Sequence, residues 1–382
     1  MRDRVCEAKR VVVKLGSNLF FNDGGAIALG RIFSFIEDIA AARLGGRQII
    51  VVSSGAVALG ADALKMKSAT ASLAQKQALA AVGQSRLMNL YEQGFGKYGL
   101  TAAQVLLTEE DFSSRTRYLN LRHTLTTLLE MGVIPIINEN DTVATTELEI
   151  TERSPSFGDN DKLSALVMTK LEASVLILLS DVDGLFDDNP RDNPKAEFIP
   201  EVHEITSDIQ ARAGRKSARG RGGMTTKLEA ARIAMNSGGM AVIANGLKSG
   251  ILSRVLNGDN EGTLFVGKTG SLSGKRRWIA FASGVSGRIH INEGAVDAIT
   301  KRNASLLYAG VTRIENDFEQ GDVVSIVGPA GQEIARGIVN YSSGDALKLI
   351  GKHSDEIARL ATSKNYDAFI TRNNIAFLTD QK

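Results

Sequence analysis

Five short runs of β-branched and aliphatic residues constrain this chain most: Val11–Leu15, Ile49–Ser53, Val133–Ile137, Val175–Ser180 and Met240–Ala244. Each is continuously apolar rather than alternating, the pattern of a strand covered on both faces in a parallel sheet. Between them lie helical patterns at Leu29–Leu44, Ser72–Gly94, Ser114–Met131, Asn160–Leu171 and Met224–Ser237. Alternating strand and helix over roughly the first 265 residues predicts an α/β domain, a three-layer sandwich around a mainly parallel sheet.

After Leu264 the texture changes. Gly267–Gly274 is a Gly/Ser/Thr stretch, and beyond Trp278 short apolar runs are broken by turn signals at Gly284, Gly287, Gly294, Gly310, Gly321-Asp322 and Gly328-Pro329. The segment from Gly321 to Gly337 predicts a hairpin with a tight turn. The expected organisation is a catalytic α/β domain at 1–266, a linker at 267–279, a small β-barrel-like domain at 280–365 and a tail at 366–382. Two domains suit a chain of 382 residues.

Several function classes fall away on composition. One cysteine, Cys6, rules out an internal disulfide and a cysteine-rich metal cluster. His123, His203, His290 and His353 show no HExxH spacing, which disfavours a zinc hydrolase. Val11-Val12-Val13 is cut off by Lys14 and Gly16, too short for a signal-peptide core. No stretch approaches the roughly 18 apolar residues of a membrane span. A cytoplasmic protein without a membrane partner is expected. The formal charge of +2 gives no overall preference for acidic or basic partners.

The chemistry is expected at the carboxyl ends of the strands, where an open parallel sheet binds its ligands. Four strands end in polar or glycine-bearing loops: Lys14-Leu15-Gly16-Ser17-Asn18, Ser53-Ser54-Gly55-Ala56, Asn138-Glu139-Asn140-Asp141 and Ser180-Asp181-Val182-Asp183-Gly184. Gly158-Asp159-Asn160-Asp161 opens the helix before the fourth strand. Singly, each has a plain turn or cap explanation. Together, on one sheet edge, their N–H groups, lysines and carboxylates describe a phosphate site. Arg212–Arg232 adds a glycine-rich loop with seven basic residues against one acid, leading into a helix, which suits a polyphosphate. Gly262–Thr269 satisfies the P-loop expression, but its variable positions are strand-like and Gly-Ser-Leu-Ser-Gly follows instead of a helix; the match is fortuitous.

These residues carry a resemblance. Lys14-Leu15-Gly16-Ser17, Ser53–Ala58, Ala81-Val82-Gly83-Gln84-Ser85-Arg86-Leu87, Ile137–Asp141, Gly158–Asp161 and Gly222-Gly223-Met224-Thr225-Thr226-Lys227 occur in order. The chain resembles the glutamate 5-kinase family of the amino-acid kinase superfamily, over essentially its full length, with the region from Trp278 similar to a C-terminal PUA domain. The resemblance implies ATP-dependent phosphorylation of the γ-carboxylate of L-glutamate to L-glutamyl 5-phosphate, the first step of proline biosynthesis. It implies that Ser54, Asp141 and Asn160 bind glutamate, that Lys14 and Lys227 contact the phosphates, and that Ser180, Asp181 and the Arg221, Gly222, Gly223, Met224, Thr225, Thr226, Lys227 segment surround the nucleotide. Mg²⁺ would arrive mainly through ATP, with no protein ligand set assigned. Feedback inhibition by proline and a homo-oligomer, dimer or tetramer, are also implied. Two positions depart from the family pattern: the segment between Asp141 and Gly158 is longer than in familiar members, and Arg221 stands where threonine is frequent.

The residue types fit this reaction. A glutamate side chain has a reference pKa near 4.3, so its carboxylate is already an ionised nucleophile and needs no general base. The obstacle is repulsion between an anion and a polyanion. Lys14 and Lys227 are the candidates to offset it, with Asp161 holding both in position. Rival acceptors within the superfamily are acetylglutamate, aspartate, carbamate and UMP. An RNA-binding role, suggested by PUA domains, is disfavoured because residues 275–382 carry 14 Lys/Arg against 12 Asp/Glu.

Overall fold

The computed structural model describes residues 1–66, 70–108, 110–113, 115–143, 160–190, 192–213, 223–267, 279–280, 285–349 and 368–378. The chain divides into two compact units, one of Met1–Thr108 and Arg122–Ser271, the other of Glu109–Leu121 and Leu272–Lys382.

The strands of the first unit are β1 Arg10–Leu15, β2 Gln48–Ser53, β3 Ala102–Leu107, β4 Ile134–Glu139, β5 Val175–Ser180, β6 Leu185–Phe186, β7 Phe198–Ile199, β8 Glu201–Val202, β9 Met240–Asn245 and β10 Thr263–Val266. Eight of them form one sheet in the order β3-β4-β2-β1-β5-β9-β10-β8, and β6 and β7 pair separately. From β3 through β9 every pairing is parallel. β10 runs antiparallel to β9 and carries β8 along its other edge. All five apolar runs predicted as strands are strands of this sheet. Thr263–Val266, inside the rejected P-loop match, is likewise a strand.

The helices are α1 Asp3–Cys6, α2 Leu29–Leu44, α3 Ala56–Leu64, α4 Leu73–Gly96, α5 Glu110–Ser113, α6 Arg115–Glu130, α7 Asn160–Lys170, α8 Ser207–Ala213, α9 Met224–Asn236 and α10 Ile251–Leu256. Strand side chains alternate between faces. Val11, Val13 and Leu15 of β1 join Val175, Ile177 and Leu179 of β5 in a core with Phe35, Ile36 and Ile39 of α2 and Leu87 and Tyr91 of α4. The opposite face is covered by α7 and α9, which pack on each other and on β1, β5 and β9. α7 is buried almost all round, consistent with its lack of a polar stripe.

Chain order matters for the site. The first half builds outward from β1 through β2, β4 and β3; the second half returns to the other side as β5 and β9. The order therefore reverses between β1 and β5, the crevice where such sheets take ligands. The Gly16 N–H donates to the Leu179 carbonyl at 3.1 Å, joining the loop after β1 to the end of β5.

α3 and α4 approach backbone to backbone. A Cβ at Gly83 would collide with the Ala56 carbonyl oxygen, and one at Gly60 with the Leu79 carbonyl. Gly83→Ala must therefore push the helices apart, and is expected to cost about 2 kcal/mol or more. Thermal unfolding followed by circular dichroism should show a lowered midpoint; an unchanged midpoint would mean the helices can part freely.

The second unit contains a five-stranded sheet of β11 Gly287–Ile291, β12 Val311–Glu315, β13 Val323–Val327, β14 Glu333–Ile338 and β15 Ile375–Phe377, in the order β12-β11-β13-β14-β15. β13 and β14 form the predicted hairpin, antiparallel across a turn closed by the Gly328 N–H and the Gln332 carbonyl. α11 Glu293–Lys301 is capped by Asn292, whose side chain accepts from the Ala295 N–H, and α12 Ser343–Leu349 follows β14. Ile289, Leu306, Tyr308, Ile326 and Phe369 form its core. Two sequence boundaries need correction. The stretch assigned to a tail contains Phe369, Ile370 and β15, which are core and sheet; a three-residue apolar strand is too short to stand out by pattern. Tyr118, placed by sequence in the first domain, packs with Ile279, Val323, Ile338 and Ala376 of the second unit.

Candidate active site

Alternation along β1 turns Lys14 away from the Val13 and Leu15 face, towards α7 and α9. There it meets the first turns of both helices. Lys14 Nζ lies 2.6 Å from Asp161 Oδ1, and Lys227 Nζ 3.3 Å from Asp161 Oδ2. Thr226 Oγ1 donates to Asp161 Oδ2 at 2.9 Å, and the Gly223 carbonyl is an alternative acceptor 2.9 Å from the same Thr226 hydroxyl. Asp161 is fully buried, and each lysine is only 5% exposed. Burial alone would push the Asp161 carboxyl up, but Lys14, Lys227 and the Thr226 hydroxyl outweigh it and hold the group down at about 2. The carboxylate is ionised throughout the physiological range, and it fixes two ammonium groups at one point.

Beside this cluster runs a row of carboxamides. Asn160, the first residue of α7, donates from Nδ2 to Ser54 Oγ at 2.9 Å and to Asn138 Oδ1 at 3.0 Å. Asn138, near the end of β4, accepts from the Glu139 N–H at 2.9 Å and donates from Nδ2 to Gln84 Oε1 at 2.9 Å. Ser54 is presented by a sharp turn: Gly55 has φ of 103°, a left-handed conformation natural only to glycine, and starts α3 directly after β2. Beneath it Ser53 Oγ is 2.8 Å from the buried Tyr91 hydroxyl, whose pKa burial raises.

On the β5 side, Ser180 Oγ donates to Asp181 Oδ1 at 3.1 Å and Asn18 Nδ2 to Asp181 Oδ2 at 3.2 Å. Burial raises the Asp181 pKa, but hydrogen bonds from its own backbone, Ser180 and Asn18, with the Lys227 charge, bring it below the usual range. Gly223 is the N-cap of α9 and Met224, Thr225, Thr226 and Lys227 form its first turn. The early N–H groups of a helix have no intrahelical partner and face outward as anion donors. Asp141 is half-buried in the loop after β4. Arg221, Gly222 and the long 144–159 segment lie outside the described residues. Among the described residues no group of three His, Cys, Asp or Glu is arranged to hold a metal ion, and no helix is long and apolar enough to cross a membrane. A crevice of about 780 Å³, lined by Lys9, Asp38 and Arg47 among others, opens at the amino ends of β1 and β2 and is no part of this site.

The model of the family described as "Amino acid kinase family" matches residues 9–245, and that of the PUA domain matches residues 287–361. This chain belongs to the amino acid kinase family. Among similar proteins, the glutamate 5-kinase of Moorella thermoacetica is 43% identical over 99% of this chain and 100% of its own length. Glutamate 5-kinases of Thermoanaerobacter sp. (strain X514) and Pelobacter propionicus are each 42% identical, over 97% and 99% of this chain and 98% and 100% of their own.

Within this amino acid kinase fold, Lys14, Asp161 and Lys227, from three separate stretches of sequence, share one cluster, and Ser54 and Asn160 share another next to it. Ser180 and Asp181 line the adjoining strand end. Gln84 belongs to the second cluster but receives no role from sequence reasoning, although its motif is conspicuous. A signal existed: along α4, Ala80, Gly83, Leu87, Met88 and Tyr91 are buried at helical spacing, and Gln84 is the carboxamide in that stripe.

Proposed function

We propose that this chain catalyses transfer of the γ-phosphoryl group of ATP to the side-chain carboxylate of L-glutamate, yielding L-glutamyl 5-phosphate and ADP. The observation that carries the reading is the convergence of Lys14 and Lys227 on the buried Asp161, one strand away from the Ser54–Asn160–Asn138 row. The full-length likeness to glutamate 5-kinases supports the choice of acceptor. A carboxylate oxygen of the acceptor forms the new P–O bond while the bond between the γ-phosphorus and the β–γ bridging oxygen breaks. The acceptor is already ionised near neutral pH, so no proton must be removed. The chain supplies position and charge: Lys14 and Lys227 face the transferring group and the departing diphosphate, where negative charge accumulates. The first turn of α9 offers N–H groups to phosphate oxygens, and Ser180 and Asp181 stand at the nucleotide side. Mg²⁺, bound through the triphosphate, would neutralise further charge there.

ADP release measured with ATP, Mg²⁺ and glutamate, against aspartate, acetylglutamate and UMP, tests the reading. Glutamate should be the productive acceptor; preference for another acid would overturn it. Asp141 is assigned the substrate ammonium, the natural partner of a carboxylate. Asp141→Asn should therefore raise the KM for glutamate about 10- to 100-fold with little change in the KM for ATP, the worth of one charged hydrogen bond. Unaltered glutamate affinity would remove that role.

A further inference from the structure

The carboxamide row has a polarity that one backbone group decides. The Glu139 N–H donates to Asn138 Oδ1, which makes that oxygen the acceptor end. Asn138 Nδ2 must then be the donor facing Gln84, so Gln84 presents Oε1 to it. Asn160 is fixed by the same argument, with Nδ2 directed to Asn138 Oδ1 and Ser54 Oγ. At the two ends a donor and an acceptor remain, Gln84 Nε2 and Asn160 Oδ1. Both are buried and neither has a hydrogen-bond partner among the described residues. Buried polar groups are seldom left so, and two at the ends of one row, of opposite sense, match a ligand that brings an acceptor and a donor. The backbone contact of α3 and α4 through Gly60 and Gly83 seats Gln84, only 9% exposed, next to the turn that presents Ser54.

We infer that Gln84 is a specificity-determining residue that reads the α-carboxylate of the acceptor amino acid, Nε2 donating to one of its oxygens while Asn160 Oδ1 accepts from its ammonium. The row thereby spans the zwitterionic end of the substrate and leaves the side-chain carboxylate free to reach the Lys14–Lys227 cluster. This rests on the acceptor reading given above. Ser54, whose Oγ accepts from Asn160, keeps its hydroxyl proton for a further oxygen of the same ligand.

Gln84→Glu tests it, because the substitution keeps Oε1 for Asn138 and replaces the donor with an anionic carboxylate oxygen, which opposes the α-carboxylate but not the uncharged α-amide. Initial rates are measured with L-glutamate and with its α-amide, which carries the same γ-carboxylate. The ratio of kcat/KM for glutamate to that for the α-amide is expected to fall at least about tenfold in the variant, the effect of losing one hydrogen bond to a charged group. The KM for ATP should stay within about twofold. A structural role would lower both acceptors equally, and equal loss, or an unchanged ratio, overturns the inference. Should Gln84→Glu fail to fold, Gln84→Met removes the donor without adding charge, and the same ratio should again fall about tenfold. A wild-type chain inactive with glutamate would defeat the acceptor reading itself. An active wild type with an unshifted ratio in the variant defeats the Gln84 assignment alone.

Discussion

Lys227→Ala is expected to lower kcat by about 10²- to 10³-fold, the usual cost of removing one preorganised group aimed at developing charge. The KM for glutamate should move by no more than about threefold. The asymmetry follows from position. Lys227 enters the site from the first turn of α9, and its ammonium sits on Asp161 beside Lys14 rather than on the Ser54–Asn160–Asn138 row. Under the proposed assignment, ground-state binding of the acceptor should survive its loss, whereas the charge that builds on the transferring group and the departing diphosphate would lose its partner. The fold should also survive, since Lys14 remains 2.6 Å from Asp161 and keeps the buried carboxylate paired. Steady-state rates over both substrates check the prediction; a variant with wild-type turnover, or one that loses only glutamate affinity, would remove Lys227 from the phosphoryl-transfer step.

The sheet's central strands were legible because a strand buried on both faces has no polar positions to blur its pattern, as in Val175–Ser180. β3 was not. It lies at the sheet edge with Gln104 exposed and several residues half-buried, so Ala102–Leu107 carries too little apolar signal between two helices. The antiparallel return of β10 could not be read either, because direction is set by pairing and not by composition. At the site, the expectation that Asp161 holds both Lys14 and Lys227 rests on the charge demands of the reaction and the resemblance; what brings the three together is alternation along β1 and α7 packing on α9. Gln84 shows the opposite limit. A glutamine in a helical stripe is unremarkable until the chain of amides from Glu139 reveals which of its ends is unfilled.

Asp161→Asn should be the most damaging neutral substitution in the site, for stability and turnover together. The carboxylate is the shared counter-charge of two ammonium groups that are almost wholly buried. An asparagine would turn an NH₂ group towards one of them and leave both charges uncompensated, a change that costs about 3–5 kcal/mol when one partner of a buried pair is removed. In a chain of this size that lowers the unfolding midpoint by roughly 4–9 °C. The loss has a pH signature that sets it apart from mere repacking. Asp161 is held at about 2 in the folded protein, below its ordinary value near 3.8. A depressed folded pKa contributes stability that is fully present above the unfolded value and is lost as pH falls through the folded one. Wild type should therefore lose about 2 kcal/mol more than Asp161→Asn between pH 5 and pH 2, so the gap between them narrows in that window and is flat from pH 5 to 8. Urea unfolding at a series of pH values measures this difference directly, since other carboxylates titrate alike in both proteins. A gap that does not change with pH would mean that the two lysines draw no stability from ionised Asp161, and the electrostatic account of how they are positioned for the phosphoryl group would fail with it.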